Sequence, residues 1–171
     1  MLCSVGSQEA ITANMRVLKV LKWLVIAVGV LFLAVQFKRP ARTNPPMDES
    51  QTIYAQTQMT PQVRAILDRS CRDCHSYQTV WPWYTNVSPT SWFITDHVNE
   101  GRKNLNLSEW GKYDKDRQAK KLQRMCDEVT DGAMPLGVYT PLHPGSKLTP
   151  DDVKTLCAWT EAERARLNSK K

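Results

Sequence analysis

The sequence lacks two patterns that would indicate common protein classes. No run of alternating apolar and polar residues is long enough for a β-sheet. No one-sided run of positive charge is present either: residues 1–39 hold five Lys and Arg against one acid, whereas residues 40–171 hold 18 against 16. The folded part is therefore close to neutral, and the net charge of +6 does not indicate nucleic-acid binding.

Helical patterns account for most of the rest of the chain. Four segments carry apolar residues at a spacing of three or four, with a cap or a breaker at their ends. They are predicted after the N-cap Thr60, from Ser88-Pro89 to about Gly101, over residues 115–130, and after the N-cap Thr149. The expected fold is all-α, and 171 residues suit one small domain with a short appendage.

A long apolar segment lies near the N-terminus. Residues 23–37 form an uncharged run of fifteen residues between Lys22 and Lys38. This run is short for a hydrocarbon core of about 30 Å, but the lysines can snorkel, and no small-x-small cleavage site follows. We predict a signal anchor or transmembrane helix over residues 15–39, with a cleaved signal peptide as the alternative. Residues 1–14 are predicted to be a disordered leader, unless translation starts at Met15.

The segment after this helix has a different composition. Residues 40–59 are rich in Pro, Thr, Gln and Asn and have no apolar period, which is typical of a flexible tether. We therefore predict a linker over residues 40–59 and a folded domain over residues 60–165.

The most informative motif is Cys71-Arg72-Asp73-Cys74-His75, which reads C-x-x-C-H. Two thiols at this spacing can add to the two vinyl groups of one haem, and the histidine that follows can ligate its iron. We predict one covalent haem c attached to Cys71 and Cys74, with His75 as the proximal iron ligand. The alternatives are a dithiol oxidoreductase and half of a zinc site, but the chain shows no βαβ pattern and no second ligand pair at zinc-site spacing.

A second axial ligand would come from one of a few side chains. We predict Met134 in Gly-Ala-Met-Pro, because a thioether raises the reduction potential and Pro135 would stiffen the loop that presents it. His97 on the second predicted helix and His143 in a loop are the alternatives, as is an open position.

Aromatic residues are concentrated after the motif. Trp81, Trp83 and Trp92 are close in sequence, and flat indole rings suit the wall of a flat cofactor. We expect this cluster to contact the haem, although each tryptophan alone could equally seal a small helical core.

The remaining cysteines indicate the compartment. Cys3 precedes the apolar segment, and Cys71 and Cys74 are assigned to the haem. The two cysteines that remain, Cys126 and Cys157, lie on the predicted third and fourth helices. We predict a disulfide between them, with two free thiols as the alternative. Basic residues flank the apolar segment on both sides and do not set its orientation. Haem attachment and disulfides belong to an oxidising compartment, so residues 40–171 are expected outside the cytoplasm.

Further strings point to one family. They are Thr79-Val-Trp-Pro-Trp-Tyr84, Ser91-Trp92, Gly101-Arg102, Asn106-Leu-Ser-Glu-Trp110, Gly132-Ala-Met-Pro135 and Leu156-Cys-Ala-Trp159. With the C-x-x-C-H motif, the chain resembles the bacterial haem-binding domain family over roughly residues 60–160. The resemblance implies a small cytochrome c-like protein, often exported behind one hydrophobic helix. It implies covalent attachment at Cys71 and Cys74, His75 as proximal ligand and Met134 as distal ligand.

These features lead to a functional expectation. We expect an electron carrier at the inner membrane of a bacterium, with its haem domain on the periplasmic side and unidentified redox proteins as partners. A haem enzyme, or a gas- or peroxide-responsive protein with an open or labile sixth position, is the alternative.

Overall fold

A computed structural model describes residues 5–169, with side chains from residue 14 onward. It confirms the all-α prediction, because the described residues contain helices and no β-strand. The longer helices are α1 (Val5–Val35), α3 (Pro61–Ser70), α5 (Thr90–Asn104), α6 (Lys115–Thr130) and α7 (Pro150–Ser169). Shorter ones are α2 (Ile53–Gln56), α4 (Arg72–His75) and the 3-10 turns Glu49–Gln51, Trp83–Asn86 and Leu107–Lys112. The chain divides into two compact units, residues 1–40 with 82–93 and residues 41–81 with 94–171.

The first unit contains the apolar helix. Asn14–Val35 is a 22-residue span with a mean hydropathy of 2.3, and none of it is buried. At 1.5 Å per residue, the span is about 33 Å long, which is enough to cross a bilayer core. Length and composition therefore allow a membrane anchor, although a signal sequence shares both properties. The helix already includes residues 5–14 of the predicted leader; residues 1–4 lie outside the described residues.

The second unit has its core between α3, α6 and α7. Their inward residues follow the predicted helical spacing. The fully or nearly buried side chains are Val63, Ile66 and Leu67 on α3, Leu122, Met125 and Val129 on α6, and Leu156, Trp159 and Leu167 on α7. Helix α7 continues past residue 165, where the predicted domain ends, to Ser169.

Local capping explains where these helices begin. Thr60 Oγ1 accepts from the Val63 amide at 3.3 Å, and Pro61 occupies the first helical position. At α7, Thr149 Oγ1 accepts from the Asp152 amide at 3.1 Å, while Asp152 Oδ2 accepts from the Thr149 amide at 2.9 Å. This reciprocal pair satisfies two backbone donors that the helix itself leaves without partners.

The predicted linker contains ordered structure. The turn Glu49–Gln51 and helix α2 lie within residues 40–59, and Ile53 is fully buried in the core cluster. Thr52 caps α2 by accepting from the Ala55 amide at 3.3 Å. The apolar residues of this stretch, among them Ile53, Tyr54 and Met59, follow no helical or strand period, so the sequence pattern did not indicate this packing.

Candidate functional site

The C-x-x-C-H motif lies where α3 ends and α4 begins. The Cys71 amide donates to Leu67 O at 3.0 Å and completes α3, while the His75 amide donates to Cys71 O at 3.0 Å and closes the single turn of α4. Both thiols and the imidazole therefore belong to one rigid backbone segment. Neither Cys71 nor Cys74 is in a disulfide.

A cavity of about 300 Å³ lies against this segment. Its lining is mainly apolar, as expected for a site that takes a large apolar group. It includes both cysteines and the histidine of the motif together with His97, Met134 and Tyr139. The structure thus brings Met134 to the same cavity as His75, 59 positions apart in sequence.

His75 is held by two backbone carbonyls. Its Nδ1 lies 2.9 Å from Gly101 O and 3.0 Å from Leu105 O. Because a carbonyl oxygen only accepts, Nδ1 carries the proton and Nε2 keeps its lone pair. Burial lowers the pKa of His75, and the bonds to these two carbonyls oppose that shift. The result is a neutral, oriented imidazole, which is the form that ligates iron.

The two thiols differ from those of a redox enzyme. Burial raises the pKa of Cys71 to about 12 and that of Cys74 to about 11. A catalytic cysteine needs the opposite shift, because its thiolate is the nucleophile. The pocket therefore disfavours the dithiol oxidoreductase alternative.

Gly101 allows α5 to pack tightly against the motif. A Cβ at this position would lie 2.6 Å from Cys74 O, closer than real Cβ contacts. Next to it, Arg102 donates from Nε to Ser76 O at 2.7 Å, from Nη1 to Thr43 O at 2.8 Å and from Nη2 to Thr79 Oγ1 at 2.9 Å. Gly101 and Arg102 therefore fix the backbone around Cys74 and His75.

Met134 is presented by the chain that leaves α6. The amides of Ala133 and Met134 both donate to Glu128 O, at 2.9 and 3.0 Å. Gly132 makes this reversal possible, because its φ of +70° is strained for residues with a side chain. The half-buried Met134 side chain is thus part of the cavity lining, and its role as distal ligand stays a prediction.

The other two histidines occupy different places. His97 lines the cavity and stays a candidate ligand, whereas His143 is not among the lining residues. His143 Nδ1 donates to Tyr139 O within a turn, at 3.0 Å, and its ring stacks on that of Tyr139 with the ring centroids 3.7 Å apart. Because a carbonyl accepts, Nδ1 is the donor here as well.

Tyr139 is part of the family resemblance, but the sequence assigned it no role at the site. Its hydroxyl donates to Asp73 Oδ2 at 2.8 Å, so the loop that carries Met134 is joined to the middle of the C-x-x-C-H motif. The cationic side chains Lys121 and Arg124 of α6 also line the cavity. An isolated tyrosine in a loop gives no periodic signal, and only the fold brings it to the site.

The expectation that Trp81, Trp83 and Trp92 contact the haem stays a prediction. No tryptophan is among the lining residues of the described chain. Trp83 is 77% exposed, and Trp110 and Trp159 are buried in the core cluster instead. Flat shape alone did not distinguish a cofactor wall from a helical core.

The structure brings Cys126 of α6 and Cys157 of α7 together. Their Cα atoms lie 4.9 Å apart, within the range that a disulfide requires. The two residues flank the segment that contains Met134. The predicted disulfide therefore fits the packing of these helices.

These residues fit a haem that is attached through Cys71 and Cys74. An apolar cavity, two adjacent thiols, a neutral imidazole with a fixed Nδ1–H and a thioether in the wall form one donor set. Comparison with curated proteins and with solved structures gives no match. The model of one family, described as a haem-binding domain, matches residues 30–162, which is more than half of the chain. The chain therefore belongs to the haem-binding domain family.

Proposed function

We propose that this haem protein is a membrane-anchored c-type cytochrome that transfers electrons. One haem would be attached covalently to Cys71 and Cys74, with His75 as proximal and Met134 as distal ligand. Bound in this way, the haem supplies a one-electron couple between ferric and ferrous iron. The chain holds the axial donors, excludes water and offers a surface to redox proteins.

One observation carries this proposal: the Nδ1–H of His75 is bonded to the carbonyls of Gly101 and Leu105 in the wall of a cavity that also contains Met134. These bonds fix the tautomer and the plane of the ring. A ligand whose orientation is fixed before iron binds changes its position little between the ferric and ferrous states. A small change in geometry favours fast electron exchange.

The location of the protein is part of the proposal. The span Asn14–Val35 is long and apolar enough for an anchor. Covalent haem attachment requires reduced thiols during maturation outside the cytoplasm, and a Cys126–Cys157 disulfide requires an oxidising compartment. We therefore place α1 in the inner membrane of a bacterium and residues 41–169 in the periplasm.

A second candidate function rests on His97. This side chain lines the same cavity as His75 and Met134, so a site with a labile thioether would have a titratable group near the open position. Such a site would favour a haem enzyme or a sensor of a small gas or peroxide. Carbon monoxide distinguishes the two functions, because ferrous protein with both axial ligands in place takes it up poorly.

The test is expression with the haem-attachment machinery, followed by intact mass and visible spectra. We expect a mass increase of one haem that survives acid-acetone extraction and is lost in Cys71→Ala/Cys74→Ala. Colourless wild-type protein from that host would contradict the proposal.

Axial ligation is tested with matched pairs of variants. Met134→Ala should lose the sulfur-to-iron absorption band and bind carbon monoxide readily, whereas Met59→Ala should keep the wild-type spectrum. His75→Ala should lose the low-spin spectrum, and His143→Ala should retain it. Rapid carbon monoxide uptake by the wild-type protein would favour the second function instead.

A further inference from the structure

Residues 82–93 are held by hydrogen bonds to the residues that follow the apolar helix. Within the first unit, Gln36 Nε2 donates to Ser88 O at 2.9 Å, and Gln36 Oε1 accepts from the Ser88 amide at 2.9 Å. The indole N–H of Trp92 donates to Lys38 O. Gln36 and Lys38 come directly after the apolar span, which ends at Val35. This segment therefore has a fixed place at one end of the span.

The same unit exposes three large aromatic side chains. Phe37 is 91% exposed, Trp83 77% and Phe93 51%. A water-facing surface carries single apolar residues without consequence, but three aromatic rings on one small unit are a different case. Lys38 and Arg39 lie beside Phe37 and are exposed as well.

We propose that these exposed side chains, Phe37, Lys38, Arg39, Trp83 and Phe93, lie in the headgroup layer of the bilayer that α1 crosses. The proposal rests on the proposed membrane anchor. Aromatic rings concentrate at the boundary between headgroups and acyl chains, where an apolar body and a polar edge are both accommodated. The two cations suit the phosphates of anionic lipids.

Continuity with the span selects a lipid surface over a protein partner. The aromatic residues are not a remote patch, because the hydrogen bonds of Gln36 and Trp92 hold their segment at the point where the chain leaves the apolar helix. A side chain at this point meets lipid headgroups whenever α1 spans the membrane. The segment would then anchor the start of α5 to the membrane surface.

The test uses the full-length haem-loaded protein in nanodiscs of phosphatidylcholine and phosphatidylglycerol in equal parts. A photoreactive phenylalanine analogue replaces Trp83, which is 77% exposed, so that the aromatic character of the position is kept. In a control protein, the same analogue replaces Leu142, which is 61% exposed on the second unit. Mass spectrometry after irradiation measures lipid adducts at both positions. We expect a severalfold higher yield of lipid adducts at position 83.

A second variant tests the hydrogen bonds between Gln36 and Ser88. Gln36→Ala removes both bonds to Ser88 and should lower the adduct yield at position 83 while leaving the haem spectrum unchanged. Equal lipid adducts at positions 83 and 142, or adducts at position 83 to protein instead of lipid, would overturn the inference. Protein that elutes without lipid would overturn the membrane anchor as well, so the two failures are distinguishable.

Discussion

Gly101→Ala has two opposing effects on stability: a gain in helix propensity and a steric clash. Gly101 lies inside helix α5, where alanine is favoured over glycine by about 0.5–1 kcal/mol. The new Cβ would lie 2.6 Å from Cys74 O and 3.2 Å from Cys74 C. These are backbone atoms of the haem-attachment turn and cannot rotate away, so overpacking of about 1–3 kcal/mol is expected.

The steric effect should be the larger one. We expect Gly101→Ala to lower the free energy of unfolding by about 1 kcal/mol, because the difference between these terms spans roughly 0–2.5 kcal/mol. Because Gly101 O also accepts from His75 Nδ1, a displaced α5 would move the proximal ligand. The visible spectrum of the haem-loaded variant should therefore shift as well.

Urea unfolding of the haem-loaded protein measures the change, and the chain offers a matched control. A Cβ at Gly137 would meet no atom within 4 Å, so Gly137→Ala should be neutral or slightly stabilising, by up to about 1 kcal/mol. A Gly101→Ala variant as stable as the wild type, with an unchanged spectrum, would refute the close packing of α5 on the motif.

Three further predictions concern the second unit. Ile53→Ala should lower stability by about 2–5 kcal/mol in urea unfolding, because Ile53 is fully buried; an unchanged midpoint would restore the tether interpretation. Cys126→Ser/Cys157→Ser should lower stability by about 3–4 kcal/mol for a separation of 31 residues, and two free thiols in non-reducing peptide mapping of the wild type would contradict the disulfide. The Arg69 guanidinium lies 2.6 Å from Asp152 Oδ2 and holds the pKa of Asp152 below its usual value of 3.8. The ion pair therefore stabilises the folded state above pH 3.8, and this contribution is lost as the pH falls through the lowered pKa. Arg69→Ala also removes the bond from Arg69 Nε to Gly145 O, which does not depend on pH. The variant should therefore lose more stability near neutral pH than at pH 2, by less than about 1 kcal/mol, and an equal loss at both pH values would contradict this linkage.

Local signals predicted the helices well. Thr60 and Thr149 cap through bonds that reach only three residues along the chain, so a short window of sequence contains the whole interaction. Helix α6 was predicted over 115–130 and occurs over Lys115–Thr130, since its apolar stripe is regular and its ends have clear signals. The C-x-x-C-H motif is equally local and indicated haem without knowledge of the fold.

The wall of the site was less predictable, because it is assembled from distant segments. His75 is oriented by Gly101 and Leu105, 26 and 30 residues away, and no spacing rule relates them. Ile53 was assigned to a tether for the same reason: its role shows only once the turn Leu107–Lys112, about 55 residues along the chain, packs against α2. Trp83 is 77% exposed, and the sequence does not show which way an indole faces.

The hydrogen bond from Tyr139 to Asp73 gives a structural role to the second x position of the C-x-x-C-H motif. Among natural relatives of this chain, an acidic residue at that position should be inherited together with a hydroxyl-bearing ring on the methionine loop. Lineages that have lost one of the two should have lost or replaced the other, so that Asp73 and Tyr139 evolve as a unit while Arg72 varies independently.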